Sequence, residues 1–203
     1  MEFKLFGLDL VAWKLHTAKD YTLFFALCIG IFLLFAYLTK RMGRKRDDAH
    51  AVAKTQKLLG KLSKKKYCVL PASECALPAG SADLVLFAPD GIYLCRCFGW
   101  GFKISGALRT PTWRVRDNKS ERRIENPIIA LKPQIDALAS ALEKNGIDAD
   151  VSHLIVFADP FGEPSFSLEY GANSFGPKSL KEWYKSLEPS GYDVEKAVGL
   201  IKK

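Results

Sequence analysis

The densest run of chemistry-bearing side chains lies between residues 95 and 116. Arg96, Lys103, Arg109, Arg114 and Arg116 are interleaved there with Trp100, Phe102 and Trp113. Guanidinium groups beside aromatic rings are a pattern of single-strand nucleic-acid binding: the cation neutralises phosphate and the ring stacks on a base. The same spacing also fits rings in a core with arginines on solvated strand faces, and the residues leave both readings open. Four thiols lie in or near this run, Cys68, Cys75, Cys95 and Cys97. Six residues separate the first two and one the last two. That spacing is not a zinc-knuckle pattern, so buried thiols and no metal are expected. His50 and His153 have no obvious acid or nucleophile partner. No G-x-S-x-G, phosphate-cradling glycine loop or H-E-x-x-H is present.

The elements that must position these residues follow from pattern and punctuation. Asp47 or Asp48 caps a predicted helix running to about Leu62, with Val52, Leu58, Leu59 and Leu62 as its apolar set. Tyr67 to Leu70 reads as a short strand ended by Pro71, and residues 71–82 as loop. Asp83 to Ala88 and Ile92 to Phe98 form a predicted hairpin about the Pro89-Asp90-Gly91 turn. A third strand is expected around Phe102 to Ser105, with Trp113 to Arg116 as a candidate partner. Asn126 caps a helix that Pro127 opens and Asn145-Gly146 ends, with a kink expected near Ala130 to Lys132 ahead of Pro133. Val151 to Ala158 is a near-continuous apolar strand of a sheet interior. Helices over Ser179 to Leu187 and Asp193 to Lys202 complete an α-β-β-β-α-β-α order.

A different segment decides where this domain resides. The 203-residue chain has enough length for one mid-sized core. Residues 21–38, YTLFFALCIGIFLLFAYL, carry no charge. As a helix they rise about 27 Å, close to the roughly 30 Å hydrocarbon core, and Tyr21 and Tyr37 stand where rings favour headgroups. No small-residue cleavage site follows, so residues 21–39 are expected to be a retained transmembrane helix. Lys40, Arg41, Arg44, Lys45 and Arg46 crowd its C-terminal side. This places residues 1–20 outside and the bulk of the chain in the cytoplasm of an inner membrane. Phe3, Phe6, Leu10 and Trp13 have helical spacing, leaving a short interfacial helix or a loosely associated tail as alternatives.

The formal charge of +8 is not spread evenly. Residues 40–66 hold eleven Lys and Arg against two Asp, whereas 67–203 are nearly neutral with sixteen basic and seventeen acidic residues. The excess belongs to a juxtamembrane arm. Three readings of that arm stay open: a solvated helix face, a surface for anionic lipid headgroups, or a contact for nucleic-acid phosphates.

The chain resembles the nuclease-related domain (NERD) family, a branch of the restriction-endonuclease-like fold. The resemblance lies in Asp83-Leu84-Val85-Leu86-Phe87 and Asp90-Gly91-Ile92-Tyr93-Leu94, then Gly101 with Ile104-Ser105-Gly106. It continues through Trp113, Asn126-Pro127 and the apolar strand 151–158, and covers about residues 48–160. It implies an αβββαβ core, a central mixed sheet flanked by helices. It also implies Mg²⁺-dependent phosphodiester cleavage by an Asp, a Glu and a Lys two residues later. Only the Asp matches, at Asp83. The Glu falls on Arg96 and the Lys on Phe98. The family's early-helix Glu falls near Val52, and its Gln on Ala130, with Gln134 one turn further on.

An arginine at the metal-binding position repels a divalent ion by roughly 7–8 kcal/mol at 4–5 Å and an effective dielectric near 20. Arg96 is therefore expected to pair with Asp83 across the hairpin. The resulting expectation is a catalytically inactive, membrane-anchored binding or scaffold module with no cofactor. A divergent nuclease using Mg²⁺ and a structural membrane subunit are the alternatives. Arg96, Lys103, Arg114 and Gln134 are the candidates to hold nucleic acid or phosphate. Anionic headgroups, nucleic acid or a protein are the candidate partners.

Overall fold

The computed structural model describes residues 4–5, 8–9, 18–42, 47–63, 67–117 and 120–202. The chain divides into two compact units, Met1–Arg44 and Lys45–Lys203.

In the first unit β1 (Lys4–Leu5) pairs antiparallel with β2 (Leu8–Asp9), and α1 spans Ala18–Met42. The interfacial helix considered for this segment rests on residues whose structure is not described. Phe3, Phe6, Leu10 and Trp13 lie outside the described residues. Within α1 the side chains of residues 24–38 are described without a break, and they are exposed, Phe32 at 70% and Phe35 at 66%. Among the described residues no helix is long and apolar enough to cross a membrane. The side chains of Lys40 and Arg41, and all of Arg44, Lys45 and Arg46, lie outside what is described.

The second unit begins with α2 (Asp48–Leu62). Asp47 caps it, its carboxylate accepting the His50 N–H at 2.6 Å. Ala51, Thr55 and Leu59 are its buried stripe. There follow β3 (Cys68–Pro71), β4 (Leu84–Phe87), β5 (Ile92–Phe98), β6 (Lys103–Gly106), β7 (Thr112–Arg116) and β8 (Glu121–Glu125). Next come α3 (Pro127–Lys144), β9 (Val151–Phe157), β10 (Ser165–Leu168), β11 (Ser174–Phe175), α4 (Pro177–Ser186) and α5 (Val194–Ile201).

The strands form two sheets. The mixed five-stranded sheet has the order β11-β9-β5-β4-β3, with β5 and β9 parallel over seven residue pairs and β4 antiparallel to both neighbours. Its central strands are apolar on both faces, because helices or the second sheet cover each one. Leu84 through Phe87 are all 0% exposed. On one side Leu84, Leu86, Cys95, Leu154 and Val156 pack with α2 and α4. On the other, Val85, Phe98, Ile155 and Phe157 pack with Leu131 and Leu138 of α3 and with Trp113 and Val115 of β7. Both clusters consist wholly of residues from Ala51 onward, so this unit carries its own core.

The second sheet has the order β10-β6-β7-β8. The chain leaves β5 and reaches β6 through Gly101, whose φ of +122° is accessible to glycine and strained for other residues. The expected partnership of the segments around Phe102 and Trp113 is present, but in this separate sheet. The strands β8, β10 and β11 were not legible: Glu121–Glu125 reads as charged loop, and Ser165–Leu168 and Ser174–Phe175 are short. Helix α3 runs continuously through Pro133. Pro133 is exposed, so the carbonyl its ring leaves unpaired faces water.

Candidate functional site

Asp83 heads β4, and the register that pairs Leu84 with Cys95 sets it opposite Arg96. Asp83 Oδ1 accepts from Arg96 Nη1 at 2.9 Å, and Oδ2 accepts the Cys97 N–H at 2.8 Å. The same Nη1 donates to the Ser81 carbonyl at 3.2 Å. The guanidinium also sits 5.4 Å from the Phe98 ring centre. The pair is mostly sheltered, with side chains 30% and 18% exposed. Burial pushes the Asp83 carboxyl above the usual carboxylate range. The Cys97 N–H and the Arg96 cation offset only part of this, and the charge of Asp48 adds to it.

Asp48 is the residue that sequence reasoning missed. It opens α2, and its Oδ1 accepts the Gly99 N–H at 2.9 Å just beyond β5. Val52, where the family's helical Glu falls by spacing, is instead half-buried against the core cluster beneath α2. The acid is one turn earlier, and the capping pattern Asp47-Asp48 was the signal that held it.

A hollow of about 270 Å³ opens beside Arg96, lined by Ser81, Phe98, Ile124, Glu125, Pro127 and Ala130. The Ser81 hydroxyl is buried with no partner among the described residues. Phe98, at the family's Lys position, is a core ring stacked on Phe157 at 4.9 Å. Among the described residues no group of three or more His, Cys, Asp or Glu is arranged to hold a metal. The residues present do not fit Mg²⁺, because Arg96 donates where a ligand must accept.

The other expected residues separate. Gln134 is 3% exposed and is a clasp rather than a ligand: Oε1 accepts the Ala82 N–H at 3.0 Å and Nε2 donates to the Pro78 carbonyl at 2.9 Å. Gly80 lies so close that a Cβ there would overlap the Gln134 side chain. Lys103 and Arg114 stand on the outer face of the second sheet, away from the hollow's lining. Strand alternation turns Trp113 inward and Arg114 outward. Trp113 is fully buried, donating its Nε1–H to the Ala107 carbonyl at 3.1 Å. Trp100 lies 5.0 Å from the Arg122 guanidinium. Trp113 is thus turned away from Arg114, whereas Arg122 and Arg96 each lie over a ring, Trp100 and Phe98.

Asn126 is another structural clasp. It is fully buried, its Oδ1 caps the Ile128 N–H at 3.0 Å, and its Nδ2 donates to the carbonyls of Ala107, Leu108 and Thr110. The buried thiols divide between the two core clusters, Cys75 in one and Cys95 with Cys97 in the other. Burial pushes the Cys97 thiol up to about 12, which keeps it protonated and inert. His153 is held below its ordinary pKa by burial, against the carbonyl groups of Gly171 and Ala172.

The architecture is that of a mixed α/β domain in which an acid heads one central strand and its cross-strand neighbour supplies the next candidate group. Residues 48–158 match the nuclease-related domain (NERD) family, and the chain belongs to that family. Neither the curated proteins nor the solved structures contain a match.

Proposed function

We propose that this chain is a membrane-anchored member of the family that has lost phosphodiester cleavage and serves as a binding or scaffold module at the inner membrane face. One observation carries the loss of chemistry: the 2.9 Å ion pair that puts Arg96 in the place of a metal-binding Glu. A cation fixed there opposes a divalent ion, and the buried Phe98 ring leaves no amine to position water. Anchoring is supported by the 25-residue length of α1 and the charge-free run at 21–38. The crowding of Lys and Arg after that run supports a cytoplasmic domain. The basic residues from Lys40 to Arg46 suit anionic headgroups; nucleic acid or a protein is the other class of ligand for the module.

The test is incubation of the full chain with labelled DNA and RNA in Mg²⁺ or Mn²⁺. No cutting is expected. Metal-dependent cutting that disappears in Asp83→Ala overturns the reading. One observation favours the alternative of a divergent nuclease: Asp48 lies near enough for its charge to act on Asp83. Calorimetric titration with Mn²⁺ separates the two, because a working pair of carboxylates takes up the ion and an Arg-occupied one does not. Protease protection in sealed vesicles tests the anchor separately: the domain is expected on one side and residues 1–20 on the other.

A further inference from the structure

The outer face of the second sheet carries its cations in an unusual arrangement. Register places Lys103 directly opposite Arg116, and Arg114 directly opposite Arg123. Both are like-charge pairs at adjacent cross-strand positions, with Cβ atoms about 5 Å apart, an arrangement that disfavours folding. All four side chains are exposed, and none is in an ion pair among the described residues. Two carboxylates share the face, Glu121 opposite Arg116 and Glu125 opposite Thr112, so the surface keeps a net positive charge. A hollow of about 410 Å³ opens beside Arg114 and Arg123, with Ser105, Thr110 and Thr112 among its lining residues. The Thr110 hydroxyl is spent on the Ala107 carbonyl, and Ser105 and Thr112 supply hydroxyl donors next to two guanidinium groups, a set that suits a phosphate-bearing headgroup.

We infer that this face docks flat onto an anionic phospholipid surface. Three features select lipid over nucleic acid. No aromatic side chain stands at the outward positions of β6, β7, β8 or β10, so no base can be stacked there. Four strands spaced about 4.8 Å apart span about 14 Å before their side chains are counted, wider than the roughly 12 Å major groove. The cations are spread in two dimensions, one pair beside the next, which matches a plane of separate headgroups rather than one strand of phosphates. The like-charge pairs are relieved when each cation meets its own anion. The inference agrees with the proposed anchor without depending on it, because it concerns a different unit of the chain.

The second unit carries its own core, so residues 45–203 provide the test. The fragment is floated with vesicles of phosphatidylcholine alone and of phosphatidylcholine with one-quarter phosphatidylserine. It is expected to float only with the second, and to be released in 0.5 M salt. Arg114→Gln with Arg123→Gln should weaken partitioning at least about tenfold, as two near-surface cations are lost. Lys181→Gln with Lys185→Gln, an equal charge change on exposed α4 residues, should leave it unchanged. Equal losses from both pairs, no loss from the sheet pair, or no flotation of the parent fragment overturns the inference. So does tighter binding of single-stranded or duplex DNA that depends on Arg114 and Arg123, which would reassign the face. Retention of the full chain on phosphatidylcholine vesicles through a salt wash reports α1 alone, so the two ideas fail separately.

Discussion

The two sheets treat positive charge in opposite ways. At the corner of the five-stranded sheet Arg96 is mostly sheltered and has a carboxylate, a carbonyl and a ring around it. On the outer face of the four-stranded sheet, Arg114 faces Arg123 and Lys103 faces Arg116, all exposed. A sheltered charge must be matched within the protein, since desolvation is otherwise uncompensated. An exposed one is screened by water and leaves the fold almost indifferent. Pairing at the first location is thus a demand of folding. Like-charge opposition at the second is mildly unfavourable for folding, and is most simply read as a surface shaped by something outside the chain.

The largest test of this contrast is Arg96→Ala. It strands a half-buried carboxylate and should lower unfolding stability by about 2 kcal/mol, below the full buried-pair figure because both side chains retain some solvent. A denaturant midpoint that does not move would show that the corner is as indifferent as the face. Gln134→Ala comes next, at about 1–2 kcal/mol, because the Ala82 N–H and the Pro78 carbonyl lose their partner. Hydrogen exchange should quicken at Ala82 while the amides of β9 stay protected.

The pH dependence of Asp83 is smaller and has a definite sign. Its folded pKa is raised above 3.8 mainly by burial, so its contribution is present below 3.8 and is lost as pH rises through the folded value. Asp83→Asn should remove that decline. Urea titrations of both proteins in steps from pH 3.5 toward neutrality should show the wild type losing ground to the variant; a constant gap would refute it. The smallest effect belongs to the face. Arg114→Gln with Arg123→Gln should stabilise the free domain by about 0.5 kcal/mol by relieving a like-charge pair. Destabilisation measured by calorimetry would mean these arginines serve the fold after all.

Much of the domain was legible because its signals are local. The hairpin 83–98, the cap at Asn126 and the apolar strand at 151 each depend on a few adjacent residues, and all three are present. The pairing of Asp83 with Arg96 was also legible, since a hairpin's turn fixes which residues stand opposite. Gln134 marks the limit of that legibility: helical spacing alone does not say whether a polar side chain reaches a ligand or a loop's backbone. Asp48 was missed because its distance from Asp83 is set by how α2 packs on the sheet.

The sequence by itself determined the turns, the caps, the alternation along each strand and the presence of Arg96 and Phe98 in the hairpin's second strand. The tertiary structure alone decided that the strands form two sheets, that Trp113 and Gln134 face inward, and that four cations share one outer face. The physical reason is range. Turn geometry and side-chain periodicity act over a few residues, whereas sheet membership depends on pairings such as β6 with β10, some sixty residues apart, that only the folded chain brings together.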